Sequence, residues 1–431
     1  MRQFRLIWVA VGMLFLPFAA MAQGLRLDEC QRLAQENYPL LKKYDLIRQT
    51  TDFTVSNLNK GYLPQLSLGG QASYQSDVMT LPSALTDMLA SSGYDVKGLE
   101  KDQYKVSLDL NQVIYDGGNI RAGKAVAQAE GEADSRQTDV DMYALRDRVN
   151  NLFFGILLTE DKLRLNEDLQ TLLADNCRKI EAMLTGGTAM QSDVDAVRAE
   201  YLNTRQQHTE LESARDSYRA MLALFIGREI DTPLVKPEAT EPIYNKVMRP
   251  ELSLFDAQNN LIEARRKQLD AGLRPTVSLF AQGYYGYPGY DMFNDMFDHD
   301  WTLNGTIGVR LSWNIGKLYT HKNDRRKLDV ARSEIENARE VFLFNNSLQS
   351  TEDRAAIGRY RRMMEEDGEI ISLRTSVRKA TEAKLEHGTI DVNDLLQEIT
   401  RENRARIDHS THEIETVSYT HLRAHETPEH L

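Results

Sequence analysis

The chain has 431 residues, 27% of them charged, and a formal net charge of −12. An acidic chain with no long run of Lys and Arg excludes nucleic acid as a partner, because phosphate binding needs clustered positive charge. As a soft prior this length would mean two or three ordinary domains, but internal repetition points to one elongated unit built from two copies.

Arg2 and Arg5 precede an apolar run from Leu6 to Ala20, and Ala20-Met21-Ala22 supplies the small-x-small pattern that a signal peptidase accepts. Residues 1–22 are therefore read as a signal peptide, with an exported chain beginning at Gln23. Cys30 lies too far downstream to carry a lipid. No later stretch approaches the roughly 18 to 20 consecutive apolar residues of a membrane helix, so any membrane crossing must use strands. Cys30 and Cys177 are expected to be free thiols, far apart along a rod, since a disulfide needs Cα atoms within about 7 Å.

Repeat 1 covers residues 23–230. A helix leads to Pro64, whose ring pushes the preceding residue toward extended geometry. Strands are predicted over 64–76 and 104–115. In the first, Leu66, Leu68, Gly70, Ala72 and Tyr74 share one face and Gln65, Ser67, Gly69, Gln71 and Ser73 the other. In the second, Val106, Leu108 and Leu110 alternate with Lys105, Ser107, Asp109 and Asn111. The segment between them, rich in Gly, Ser and Asp, reads as an exposed loop. Gly117 and Gly118 mark the junction to a helical hairpin over 118–227. Its first arm places Leu145, Val149, Leu152, Ile156, Leu165, Leu169 and Leu172 on a narrow seam. At 1.5 Å per residue this arm would be on the order of 100 Å long. Gly187 and Thr188 mark its tip, and the return arm runs from Val194 to Ile226-Gly227.

A Pro-containing bridge over 231–248, with Pro233, Pro237 and Pro242, is expected to wrap the middle of the rod. Repeat 2 follows over 249–415. Gly61 to Leu68 is echoed 211 residues later by Gly272 to Leu279, while Gly187-Thr188 and Asp193 return 201 residues later as Gly388-Thr389 and Asp394. Strands are predicted over 275–287, behind the junction Pro275, and over 305–315. Their apolar faces carry Val277, Leu279, Ala281 and Tyr285, then Ile307, Val309, Leu311 and Trp313. A second hairpin is expected over 319–415. Its apolar period stops near Glu415, and the tail 416–431 is read as non-native.

Four strands cannot close a barrel, because smaller membrane barrels have about eight and an open edge in lipid leaves backbone groups unsatisfied. The chain must therefore oligomerise, to eight, twelve or sixteen strands. Tyr284, Tyr285, Tyr287, Tyr290 and Trp301 are candidates for an interfacial aromatic girdle, or for loop packing. No catalytic site, cofactor or metal is expected: His425-Glu426 misses a His-Glu-x-x-His spacing by one residue, and no phosphate loop or nucleophile elbow appears. The competing readings are a coiled-coil envelope protein or adhesin without a pore, and a soluble periplasmic enzyme.

The segment Leu27 to Leu40, with Tyr62-Leu63-Pro64, Tyr115-Asp116-Gly117-Gly118, Ile226-Gly227 and Arg249-Pro250-Glu251-Leu252, resembles in order the landmarks of the TolC-like outer-membrane efflux protein family. The resemblance implies an α+β membrane protein: a homotrimer with a twelve-stranded barrel in outer-membrane lipid and long antiparallel hairpins forming a periplasmic α-barrel. It implies a passive duct, docked through a periplasmic adaptor to an inner-membrane RND or ABC pump. By the same resemblance Gly187, Thr188, Gly388 and Thr389 would lie at adaptor-docking tips, and Asp193 and Asp394 at a gated periplasmic entrance. Asp in the first turn of a helix is also favoured simply by capping and the helix dipole. The chain departs from the family at Gln397, where a second acid is common, and at Leu385 and Ile390, where tyrosine and arginine partners are expected.

Overall fold

The computed structural model of the protein describes residues 24–96, 98–239 and 249–424. Residues 1–23, which include the expected signal peptide, half of the bridge (240–248), Lys97 and residues 425–431 lie outside them. The chain divides into two compact units, one formed by the stretches up to Tyr38, Ala144–Val247 and Gln349 onward, the other by Pro39–Tyr143 and Met248–Leu348.

The second unit contains the sheet. Helix α2 (Leu41–Asn59) leads through a short 3-10 turn to β1 (Gln65–Tyr74), and β2 (Asp102–Tyr115) returns antiparallel. Helix α6 (Pro250–Ala271) leads through a turn at Gly272-Leu273 to β3 (Thr276–Tyr287) and β4 (Thr302–Ser312). The strand order is β1-β2-β3-β4, with β2 paired to β3 across the two halves of the chain. Strands β1 and β4 are the free edges. The predicted loop over 77–103 holds a helix, α3 (Ser83–Ser91), where Ala84, Leu85, Met88, Leu89 and Ala90 outweigh the local turn residues. β4 starts at Thr302 and stops before Trp313, whose indole N–H instead donates to the Leu273 carbonyl at 2.9 Å.

Two long helices, α4 (Asn119–Thr185) and α7 (Lys317–Glu386), continue into the first unit, where α5 (Gln191–Ile226) and α8 (Val392–Ala424) return. One core of this unit joins Cys30 and Ala34 of α1 (Leu27–Asn37) to Val149, Phe153 and Ile156 of α4, Leu222 and Ile226 of α5, and Ile414 and Val417 of α8. Leu25 forms a parallel bridge with Leu234, the described part of the inter-repeat segment. A second core unites Leu173, Ile180, Val194 and Val197 with Leu385, Val392, Leu395 and Ile399. Both cysteines are free, and burial pushes the Cys30 thiol up to about 12, so it packs as an apolar group.

The final helix does not stop at Glu415. It runs to Ala424 because Val417 and Thr420 are buried, Tyr419 lies 6.0 Å from the Tyr360 ring, and His421 Nε2 bonds the Glu238 carbonyl at 2.8 Å. The sequence pattern missed this because threonine and tyrosine fill core positions there.

Candidate functional site: an apolar sheet face and two helical tips

Strand register decides which residues share a face. Leu66 pairs with Leu110 and Leu68 with Leu108, Val106 with Tyr285 and Leu110 with Ala281, Val277 with Leu311, Leu279 with Val309 and Ala281 with Ile307. All belong to one face, and it is exposed: Leu68 is 76%, Ile307 73% and Val309 69% accessible. A contiguous apolar surface of this kind marks a contact with lipid or protein.

Aromatic residues bound that face at both ends. At the loop end lie Tyr74, Tyr104, Tyr285 and Trp301, with Trp301 stacked on Tyr104 at 6.5 Å and 5.4 Å from Tyr285. At the helix end lie Tyr115 and Trp313. From Tyr104 to Tyr115 at about 3.3 Å per residue is about 36 Å of strand. Tilted by about 40°, that is about 28 Å, close to the height of the apolar band of an outer-membrane barrel. The predicted girdle is thereby sorted. Tyr285 and Trp301 lie at the loop end of the exposed apolar face, together with Tyr74 and Tyr104, which end the alternating runs. Tyr284 is buried on the opposite face with its hydroxyl on the Pro288 carbonyl at 3.2 Å, while Tyr287 is buried and donates to the Asp295 carbonyl at 3.2 Å. Tyr290 packs edge-on against Tyr284 at 5.4 Å.

Leu63, before Pro64, is extended at ψ 152°. Gly117 and Gly118 have φ of +71° and +90°, and a Cβ on Gly117 would sit 3.0 Å from Cβ of Arg274, next to Pro275. Asp116 starts α4 by accepting the amide of Gly118 at 2.9 Å and that of Ile120 at 2.5 Å.

In the other unit, the two helical tips close alike. Gly187 has φ +75° and Gly388 φ +68°. The amide of Thr188 donates to the Met183 carbonyl at 2.9 Å and that of Thr389 to Lys384 at 3.0 Å, each the long bond of a Schellman turn. Each threonine hydroxyl donates to the same carbonyl, at 3.1 and 2.9 Å. The two aspartates differ. The Asp193 carboxylate accepts the amide of Met190 at 2.8 Å, tying down its own helix start. At the second tip Asp391 does the capping, accepting the amide of Asp394 at 3.0 Å. The Asp394 side chain is exposed and accepts no hydrogen bond among the described residues.

Above the second tip lies a cluster that the sequence reading missed. Glu402, 6% exposed, accepts from Thr375 Oγ1 at 2.8 Å, Arg378 Nε at 2.5 Å and Arg406 at 2.7 Å, and Arg378 also pairs with Glu382 at 2.6 Å. Burial alone would raise the Glu402 pKa. The hydrogen bonds from Arg406, Thr375 and Arg378 outweigh it and hold the carboxyl below the usual range. Higher on the same helices, Asp367 Oδ2 meets His412 Nδ1 at 2.8 Å and His409 Nδ1 at 3.3 Å. In a chain with 27% charged residues, a few Arg, Glu, Asp and His residues at helical spacing do not stand out. The one available signal was the 201-residue offset, which sets Arg378 and Glu402 opposite Cys177 and Tyr201.

Among the described residues no helix is long and apolar enough to cross a membrane, and no group of three or more metal-ligating side chains forms a metal site. An exposed, aromatic-bounded sheet face together with long helical hairpins defines a class of cell-envelope protein in which both elements belong to one chain. Residues 31–228 match the family described as outer membrane efflux protein. Outer membrane protein TolC of Salmonella enteritidis is 23% identical over 294 residues, which is 65% of this chain and 56% of that protein, so the match spans little more than half of the relative's length. Among solved structures, the outer-membrane channel OprN superimposes with a TM-score of 0.69 at 14% identity, covering 93% of this chain and 89% of that one. The open-state MtrE outer membrane channel of Neisseria gonorrhoeae gives 0.65 at 14% identity, covering 93% and 88%. At such identity the structural likeness establishes the fold. The chain is thus similar to TolC-like outer membrane efflux proteins, in sequence over residues 31–228 and in fold over 93% of its length.

Proposed function

We propose that this chain is one protomer of an outer-membrane export duct, a passive conduit with no enzymatic step. The observation that carries the reading is the sheet: an exposed apolar face about the height of a bilayer core, bounded by aromatic residues, with both edge strands open. An open edge in lipid costs several kcal/mol for each unsatisfied backbone group, so β4 of one copy must pair with β1 of the next. Three copies would give the twelve-stranded barrel of the family. The hairpins would then line a periplasmic tunnel that meets a periplasmic adaptor at Gly187-Thr188 and Gly388-Thr389, with an RND or ABC pump in the inner membrane supplying the energy.

Asp193 and Asp394 would give six carboxylates at the entrance. Asp394, unengaged and exposed, is the better gate residue of the two. Such a ring favours cations and is blocked by multivalent ones.

Purified assembly in a planar bilayer tests the reading. Discrete conductance that loses divalent-cation block in the Asp193→Ala, Asp394→Ala double variant supports duct and gate together. Conductance with unchanged block retains the duct and removes the gate. A heat-stable membrane assembly that conducts nothing favours the pore-free structural protein.

A further inference from the structure

The face of the sheet opposite the lipid-facing one is polar, and its residues are small or hydrogen-bonding: Gln65, Ser67, Gln71 and Ser73 on β1, Ser107 and Asn111 on β2, Ser278 and Gln282 on β3, Asn304 and Thr306 on β4. Phe280 breaks this pattern. It is placed on the polar face by its register with Asn111 and Gly308. The ring lies across Gly308, where even a Cβ would approach to 2.8 Å. The Arg310 guanidinium sits over the same ring, 4.7 Å from its centroid, within the range of a cation–π contact. Arg310 is exposed and makes no ion pair among the described residues.

Charge on this face is sparse. Lys105 and Arg310 are its cations and Asp109 its anion, and Asp109 is already engaged by Gln282 and by Ser107 at 3.0 Å. The face is therefore net positive in a chain whose formal charge is −12. Barrel closure would not quench it. Arg310 is on the edge strand β4, and the strand it would meet in the next copy, β1, offers only Gln, Ser and Gly on its polar face.

We propose that Phe280 and Arg310, seated over Gly308, form an anion-selecting station on the lumen wall of the barrel. The aromatic ring fixes the guanidinium over a flat apolar surface, so the station suits organic anions with an apolar body as well as simple anions. The inference rests on the duct reading and adds to it a preference for anionic cargo within the barrel.

The test is the reversal potential of single channels in a KCl gradient, for the wild-type assembly and for Arg310→Gln, Arg310→Lys and Phe280→Ser. In an Asp193→Ala, Asp394→Ala background, where the cation-favouring carboxylates of the entrance are gone, the otherwise unaltered barrel should favour chloride over potassium. Arg310→Gln should lower that ratio at least about twofold, because the lost charges lie within a Debye length of about 8–10 Å of a passing ion. Arg310→Lys should keep most of the ratio, and Phe280→Ser should lower it by freeing the guanidinium without changing the net charge. Retention of the heat-stable assembly in each variant shows that the barrel has folded. Conducting channels with the same ratio in wild type and Arg310→Gln overturn the station alone. A wild-type assembly that conducts nothing overturns the duct reading itself.

Discussion

At Met183–Thr188 and Lys384–Thr389 the two hairpins turn with matching hydrogen bonds around glycines of nearly equal φ. A few turns above, they part. The first hairpin carries Cys177 and Tyr201 at the margin of an apolar core, while the second carries Arg378 and Glu402 in a buried ionic cluster. The tips also cap themselves by opposite halves of one motif: Asp193 reaches back to the amide before its helix, and Asp391 reaches forward into the first turn. Backbone closure is thus held constant between the hairpins while the chemistry of the seam changes. Packing in one shared core holds both arm pairs, and the second adds buried charges that must remain paired.

Breaking that charge pairing should give the largest effect. Glu402→Gln leaves Arg378 with Glu382 alone and Arg406 without its carboxylate partner, and removing one partner of a buried ion pair costs up to about 3–5 kcal/mol. Hydrogen exchange measured by mass spectrometry should show faster exchange in α7 and α8 around Thr375–Arg406, with α4 and α5 changed far less. The double variant Arg378→Cys, Glu402→Tyr, which copies the first hairpin into the second, should recover most of the protection, since apolar replacements of a buried ion pair are often neutral. Equal loss in both hairpins would mean that the cluster is general scaffolding.

The same cluster predicts an acid limit. Glu402 is held below its unfolded-state pKa, so its contribution to stability is complete above the ordinary carboxylate range and is lost as pH falls through the folded value. Protection of the second hairpin should therefore decline below about pH 4.5 before that of the first, and Glu402→Gln should remove the difference in its pH dependence.

How much of this was legible in the sequence follows from what each signal reports. The strands were readable because one face of the sheet is apolar and the other wet, which prints a period of two on Leu66–Tyr74 and Ile307–Leu311. The hairpin turns were readable because positive φ demands glycine. The helix α3 was hidden because the Gly-, Ser- and Asp-containing residues around it read as a loop, and the last stretch of α8 was hidden because Thr416 and Thr420 are buried while looking polar. The Glu402 cluster was invisible because i,i+4 charge pairs mark exposed helix faces far more often than buried seams. Asp193 and Asp394 were found as a pair, but their different engagement turns on Met190 against Asp391, a single position that no spacing argument weighs.

Glycine substitution gives a middle-sized test of what the hairpins share. Gly187→Ala and Gly388→Ala each place a Cβ in a left-handed conformation, with nothing within 4 Å of either added atom. The cost is then backbone strain alone, about 1–2 kcal/mol, and should be the same at both tips. Unequal losses, read by local exchange at 183–194 and 384–395, would show that the surrounding seam reaches the turn.

The smallest effects should come from the aspartates, and they sharpen the comparison most. Asp391→Ala removes the side-chain cap of α8 and should cost about 1 kcal/mol. Asp193→Ala removes the reaching-back contact and a favourable charge at the start of α5, about 0.3–1 kcal/mol. Asp394→Ala removes a carboxylate with no hydrogen-bond partner among the described residues and should change local exchange by less than about 0.5 kcal/mol. If conductance and divalent block nonetheless respond more to Asp394→Ala than to Asp193→Ala, the exposed carboxylate acts on the permeating ion rather than on the fold. If Asp193→Ala alone alters the block, and alters it in proportion to lost protection at 190–197, the entrance responds to the order of the helix start and carries no charge ring at Asp394.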